Sequence, residues 1–219
     1  LWAWQLEYEN PLRFDDADEV LVDVTARVRG PRSSQLEMEV TISGPAGVAA
    51  RTRGASVPLR LSGDQALSGV PASLPDPLVG LFEEGERERS PYRSRVPALR
   101  KTLECEGQRL DAASTTLRVH RHHCEVADQW YWAESLGFAG AAREEYVMRY
   151  GKHTPELRRA LAEGVRRVDV TWLRAGQLWD LIEVHTQGYQ HGDEIAFVHE
   201  LRLAEDDGGG PCAVVVERT

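Results

Sequence analysis

Residues 19–30 read EVLVDVTARVRG, and Gln35–Gly44 reads QLEMEVTISG. In the first stretch Val20, Val22, Val24, Ala26 and Val28 share one face. In the second, Leu36, Met38, Val40 and Ile42 share a face, with Glu37, Glu39 and Thr41 opposite. Successive side chains of an extended chain point to opposite faces, so each stretch reads as a half-buried strand. Gly30-Pro31 ends the first run, and the polar RGPRSS reads as a turn that makes the pair a hairpin.

The same alternation extends outward on both sides. In LWAWQLEYE, Trp2, Trp4, Leu6 and Tyr8 fall on one face, with Ala3, Gln5 and Glu7 on the other. VPLRLSG adds Val57, Leu59 and Leu61. Residues 1–62 therefore read as an antiparallel sheet with one wet face. A Gly-, Ser- and Pro-rich connector follows over 63–77, and the charge-dense GERERSPYRSR reads as exposed.

Residues 76–167 read as mainly helical. Asp76-Pro77 and Thr154-Pro155 are helix starts, a capping side chain followed by proline in the first turn. PALRKTLECEG is a short helix, and DQWYWAESLGFAGAAREEYVMRY a longer one that Gly137 and Gly140 weaken. Within this region STTLRVHRHHC favours strand, through its β-branched residues.

Residues 168–219 return to strands. VDVTWLR and LWDLIEVHTQ flank a hairpin-like loop at 175–177, EIAFVHELRL alternates, and CAVVVER closes the chain. No strand–helix–strand unit recurs, which argues against a doubly wound parallel sheet. The expected fold is a single α+β domain over 1–219, with antiparallel sheet segments at both ends and the helical middle packed on them.

The net charge of −9 argues against a nucleic-acid partner, which requires a basic footprint, and against a polybasic membrane-surface protein. No apolar run is long enough to span a bilayer. Cys105, Cys124 and Cys212 are widely spaced, with no C-x-x-C pair, and read as reduced thiols in a cytoplasmic protein. Arginine far outnumbers lysine, which occurs only at Lys101 and Lys152, a codon-usage mark of a high-GC bacterial source.

The chemical motifs are sparse. The sequence contains no P-loop, no G-x-G-x-x-G after a strand, no G-x-S-x-G elbow and no H-E-x-x-H. On a strand, His120, His122 and Cys124 would project from one face, a spacing that suits zinc. His185 or Glu183 could supply a fourth ligand. His199, on an apolar face with Phe197 and Leu201, reads as a core histidine satisfied by a hydrogen bond. The acidic run Asp15-Asp16-Ala17-Asp18-Glu19 lacks the features of a calcium loop and reads as a solvated connection.

Trp130, Tyr131 and Trp132 cannot all share one helical face, so at least one ring points outward, as anchors of binding surfaces do. With no compact catalytic motif, an acidic surface and several sheet edges, the expected function is non-catalytic. It is that of an accessory protein binding a peptide or protein, such as a basic peptide in a bacterial peptide-modification pathway, through sheet edges and Trp130, Tyr131 and Trp132. The alternative is a zinc-type enzyme acting on a small polar substrate at His120 and His122, with Cys124 and His185 as further ligands.

Overall fold

The structure is a computed structural model, and it describes every residue except 1, 13–17, 31–33, 62–68, 85–89, 125–127 and 207. The turn RGPRSS, the acidic run at 15–19, part of the 63–77 connector and the GERER segment fall wholly or partly outside the described residues. In chain order the elements are β1 (Trp2–Tyr8), β2 (Leu21–Arg29), β3 (Gln35–Gly44), β4 (Gly47–Ser56), β5 (Leu59–Leu61), β6 (Gly69–Pro71), α1 (Asp76–Val79), β7 (Glu83–Glu84), α2 (Tyr92–Glu106), β8 (Gln108–Arg118), a 3-10 turn (Arg121–His123), α3 (Glu134–Tyr150), α4 (Pro155–Glu163), β9 (Arg167–Trp172), β10 (Leu181–His191), β11 (Glu194–Leu203) and β12 (Ala213–Arg218). The architecture is mixed, with extensive antiparallel sheet and few helices. The chain divides into two units, Leu1–Ser94 and Arg95–Thr219.

In the first unit the strand order is β7-β2-β3-β4-β1. The hairpin of β2 and β3 forms, with Leu21 opposite Ser43 and Arg29 opposite Gln35. Its exposure differs from expectation. Val20, Leu21, Val22 and Val24 are 50–63% exposed, and burial begins only at Val28. β7 pairs with β2 only at Arg27 and Val28, and α1 has a single turn with no buried residue. Among the described residues, the first half of β2 therefore has no apolar layer to bury against. β1 departs the other way: Ala3, Trp4 and Gln5 are all buried, so both of its faces are covered. Opposite Trp4 stands Gly54, where a side chain would collide with the indole.

In the second unit the order is β9-β12-β11-β10-β8, all antiparallel. The sheet is covered on both faces. Ala196 and Val198 of β11, with Val214 and Val216 of β12, pack against Val96 and Leu103 of α2. The alternate residues Ile195 and Phe197 pack against Tyr146 and Val147 of α3 and Leu157 and Ala160 of α4. Two-sided burial explains why CAVVVER is apolar without alternation. Each fully buried aliphatic or aromatic side chain contributes about 1.5–3 kcal/mol.

Two pairings differ from the sequence expectation. β9 pairs with β12 and β10 pairs with β8, so residues 175–177 do not close a hairpin between β9 and β10. β8 begins at Gln108 and ends at Arg118, so the strand expected through Cys124 stops early. The region 76–167 holds the four helices and also this 11-residue strand. No helix among the described residues is long and apolar enough to cross a membrane.

Candidate functional site

Residues 119–133 connect β8 to the start of α3 and hold every candidate ligand and binding residue singled out from the sequence except Glu183 and His185. Val119 is buried and leaves the sheet by exchanging backbone bonds with the turn at 179–180: its N–H donates to Asp180 C=O at 2.9 Å, and Trp179 N–H donates to its own C=O at 2.9 Å. Arg118 is opposite Leu181, the first residue of β10, so the ladder has no partner to continue into. The chain turns instead. His123 N–H donates to His120 C=O at 2.9 Å, and His120 N–H donates to His123 Nδ1 at 3.0 Å.

This turn corrects the expected strand face. His120, His122 and Cys124 do not project in a row. The turn gathers three imidazoles instead: the His122 and His123 ring centroids are 3.9 Å apart, and His120 is 5.9 Å from each. The Cys124 thiol points back to donate to His120 C=O at 3.5 Å. Burial and the nearby Asp128 carboxylate push that thiol above its ordinary pKa, which disfavours the thiolate a metal would need. His185 stands on β10 opposite Ser114, four residues along the strand from Leu181. Among the described residues no cluster of three histidine, cysteine or acidic side chains could hold a metal ion.

His123 is the residue that the sequence reading passed over. Burial and the neighbouring His122 and His120 lower its pKa, against a partly opposing pull from Glu134 in the first turn of α3. The imidazole is therefore neutral near pH 7. Because Nδ1 accepts the His120 N–H, the ring proton of neutral His123 sits on Nε2. The ring meets Phe138 edge to face at 4.9 Å, and Phe138 stacks on Trp130 at 5.4 Å. The Tyr131 N–H, which donates to His123 C=O at 2.8 Å, and an ion pair between Arg121 and Asp128 tie the turn to the approach to α3. The His-His adjacency was visible in the sequence. The partners Glu134 and Phe138, a loop away, were not.

The aromatic trio separates. Trp130 is 1% exposed beneath Phe138, and its N–H finds no acceptor among the described residues. Trp132 is half-buried. Tyr131 is 40% exposed and meets Trp132 at 5.8 Å. Trp130 is therefore a wall of the core rather than a surface anchor. The arrangement joins an N–H donor at His123 Nε2, a carboxylate at Glu134, an apolar wall of Trp130 and Phe138, and the positive end of a 17-residue helix. Such a set can polarise a carbonyl and activate a water.

No protein-family model matches the sequence, and no curated protein matches it. Solved structures do match, along the whole chain. A Lactobacillus plantarum protein described as an oleoyl thioesterase superposes with a TM-score of 0.65 at 12% identity, covering 100% of this chain and 75% of that one. The 12:0-ACP thioesterase of Umbellularia californica gives 0.61 at 10% identity, over 100% and 72%. An acyl-ACP thioesterase of Bacteroides thetaiotaomicron gives 0.55 at 11%, over 99% and 75%. These comparisons overturn the expectation of a non-catalytic accessory protein binding a peptide or protein, since these three solved structures, matched along the whole of this chain, are described as thioesterases. At such identities the likeness is one of fold alone, a hotdog-like fold.

Proposed function

We propose that the protein hydrolyses an acyl thioester at the approach to α3. The observation that carries this reading is the likeness of fold, along the whole chain, to three proteins described as thioesterases of acyl or oleoyl substrates. The local chemistry supports it. The thioester carbonyl oxygen accepts a hydrogen bond from His123 Nε2, which a neutral imidazole donates without bringing a competing charge. Glu134 takes a proton from water as the water oxygen attacks the carbonyl carbon. The carbon–sulfur bond then breaks, and the departing thiolate takes up that proton. Trp130 and Phe138 supply the apolar support behind the His123 ring.

The test is release of free thiol from a series of acyl-CoA and acyl-carrier-protein substrates. The wild type is expected to turn over at least one chain length. His123→Ala and Glu134→Gln are each expected to lower kcat by about a hundredfold, the scale of a lost general acid or base, with little change in melting temperature. Absence of thiol release from every substrate would sink the proposal. So would full activity in both variants.

A further inference from the structure

A separate constellation lies on the β8–β10 ladder. The ladder places His185 directly opposite Ser114, and Glu183 shares the face of His185 two residues away. Ser114 Oγ and His185 Nδ1 are 2.9 Å apart. His185 Nε2 and Glu183 Oε2 are 3.1 Å apart. A hydroxyl and an imidazole are thus joined by a hydrogen bond, with a carboxylate within ion-pair reach of the other ring nitrogen, in the order nucleophile, base and orienting group. The neighbouring negative charge favours the ring proton on Nε2, the tautomer in which the Nδ1 lone pair receives the serine proton.

Ser114 and His185 both line a cleft of about 400 Å³. Its apolar lining includes Ala112 and Val198, and three guanidiniums reach it, those of Arg100, Arg109 and Arg149. Glu104 and Glu200 engage Arg100, and Arg109 donates to Gln187 at 2.7 Å. Arg149 has no ion-pair partner among the described residues. The cleft therefore offers a small apolar recess, a positioned hydroxyl and an uncommitted cation.

We infer that this cleft is a second acyl-transfer site, which takes a small ester bearing a carboxylate or phosphate group. Arg149 pairs with the anion while Ser114 Oγ attacks the ester carbonyl carbon and passes its proton to His185. The tetrahedral adduct collapses, the carbon–oxygen bond to the alcohol breaks, and the alcohol takes the proton from His185. The acyl group is left on Ser114. Water then gives a proton to His185 and attacks the same carbon, and Ser114 leaves with that proton. Glu183 acts through His185 and is a positioning residue.

The test uses a fluorophosphonate probe on the full-length chain, with the labelled residue located by peptide mass spectrometry. Labelling is expected at Ser114 and is expected to slow about a hundredfold in His185→Ala. Glu183→Gln, which keeps shape but not charge, is expected to slow it about tenfold, and Glu183→Asp to restore part of the rate. Arg149→Ala is expected to abolish the protection from labelling that an anionic ester gives the wild type. All four positions are solvent-accessible, and unchanged melting curves confirm that the variants fold. An unlabelled Ser114 in the folded wild type overturns the inference. Equal labelling in the wild type and His185→Ala, the mark of a merely exposed serine, overturns it too. Thiol release in the acyl-CoA assay is a separate readout, so the two sites stand or fall separately.

Discussion

Glu217 is buried on β12, and burial alone would raise its pKa. A hydrogen bond and charge from His199, 3.3 Å away, together with Arg143 on α3 at 2.7 Å, outweigh that penalty and hold the carboxyl below its ordinary range. Thr186 contacts the other nitrogen of His199 at 2.9 Å, so three strands and a helix share one polar chain. His199 was legible in the sequence as a satisfied core histidine. Its partners were not, because Glu217 and Arg143 reach it only through strand pairing and helix docking. Arg143→Ala leaves a buried carboxylate short of a partner and is expected to cost about 3 kcal/mol in urea unfolding. The pH dependence follows from the sign of the shift. A depressed folded-state pKa contributes stability above the unfolded value of about 4, and that contribution is lost as pH falls through the folded value. The acid limb of the melting-temperature profile is therefore expected to flatten in Glu217→Gln.

At the scale of elements, β10 carries an irregularity between Gln187 and Tyr189, and Gly188 sits within it. A side chain at Gly188 would place its Cβ 2.5 Å from Tyr146 Oη. That hydroxyl donates to Asp111 C=O at 2.8 Å, a contact that joins α3 to β8, and burial pushes its pKa up. Gly188→Ala is expected to destabilise by about 1–3 kcal/mol through overpacking, and by less in a Tyr146→Phe background, where the oxygen is gone. A double-mutant cycle in urea measures the difference. The sequence shows a glycine in a strand and so suggests an irregularity. It does not show that a tyrosine from a helix some forty residues earlier fills the space. The 3-10 turn at Arg121–His123 teaches the same lesson. β-Branched residues correctly announced a strand, but where it ends was decided by where β10 begins.

At the scale of the whole molecule, the clearest contrast lies between the two units taken separately. In the second, valines and alanines on both faces of the sheet meet helices. In the first, Val22 and Val24 stay 50–60% exposed despite an apolar period-two pattern. Val22→Thr and Val24→Thr are accordingly expected to change stability by no more than about 0.5 kcal/mol, whereas Val215→Thr, fully buried, is expected to cost more than about 1 kcal/mol. Urea titration of the three variants checks both halves of the statement.

What the sequence determined by itself was local. Alternation located most strands, including the β2–β3 hairpin, and Thr154-Pro155 marked the start of α4. These signals depend on neighbours a few residues apart, which a single chain displays directly. Tertiary structure alone decided that β9 joins β12 and β10 joins β8. It also decided that His123 faces Phe138 and Glu134, that His185 faces Ser114, and that β2 stays exposed. Periodicity tells which face of a strand is apolar. It carries no information about which distant segment covers that face, and the chemistry of this protein lies at such junctions.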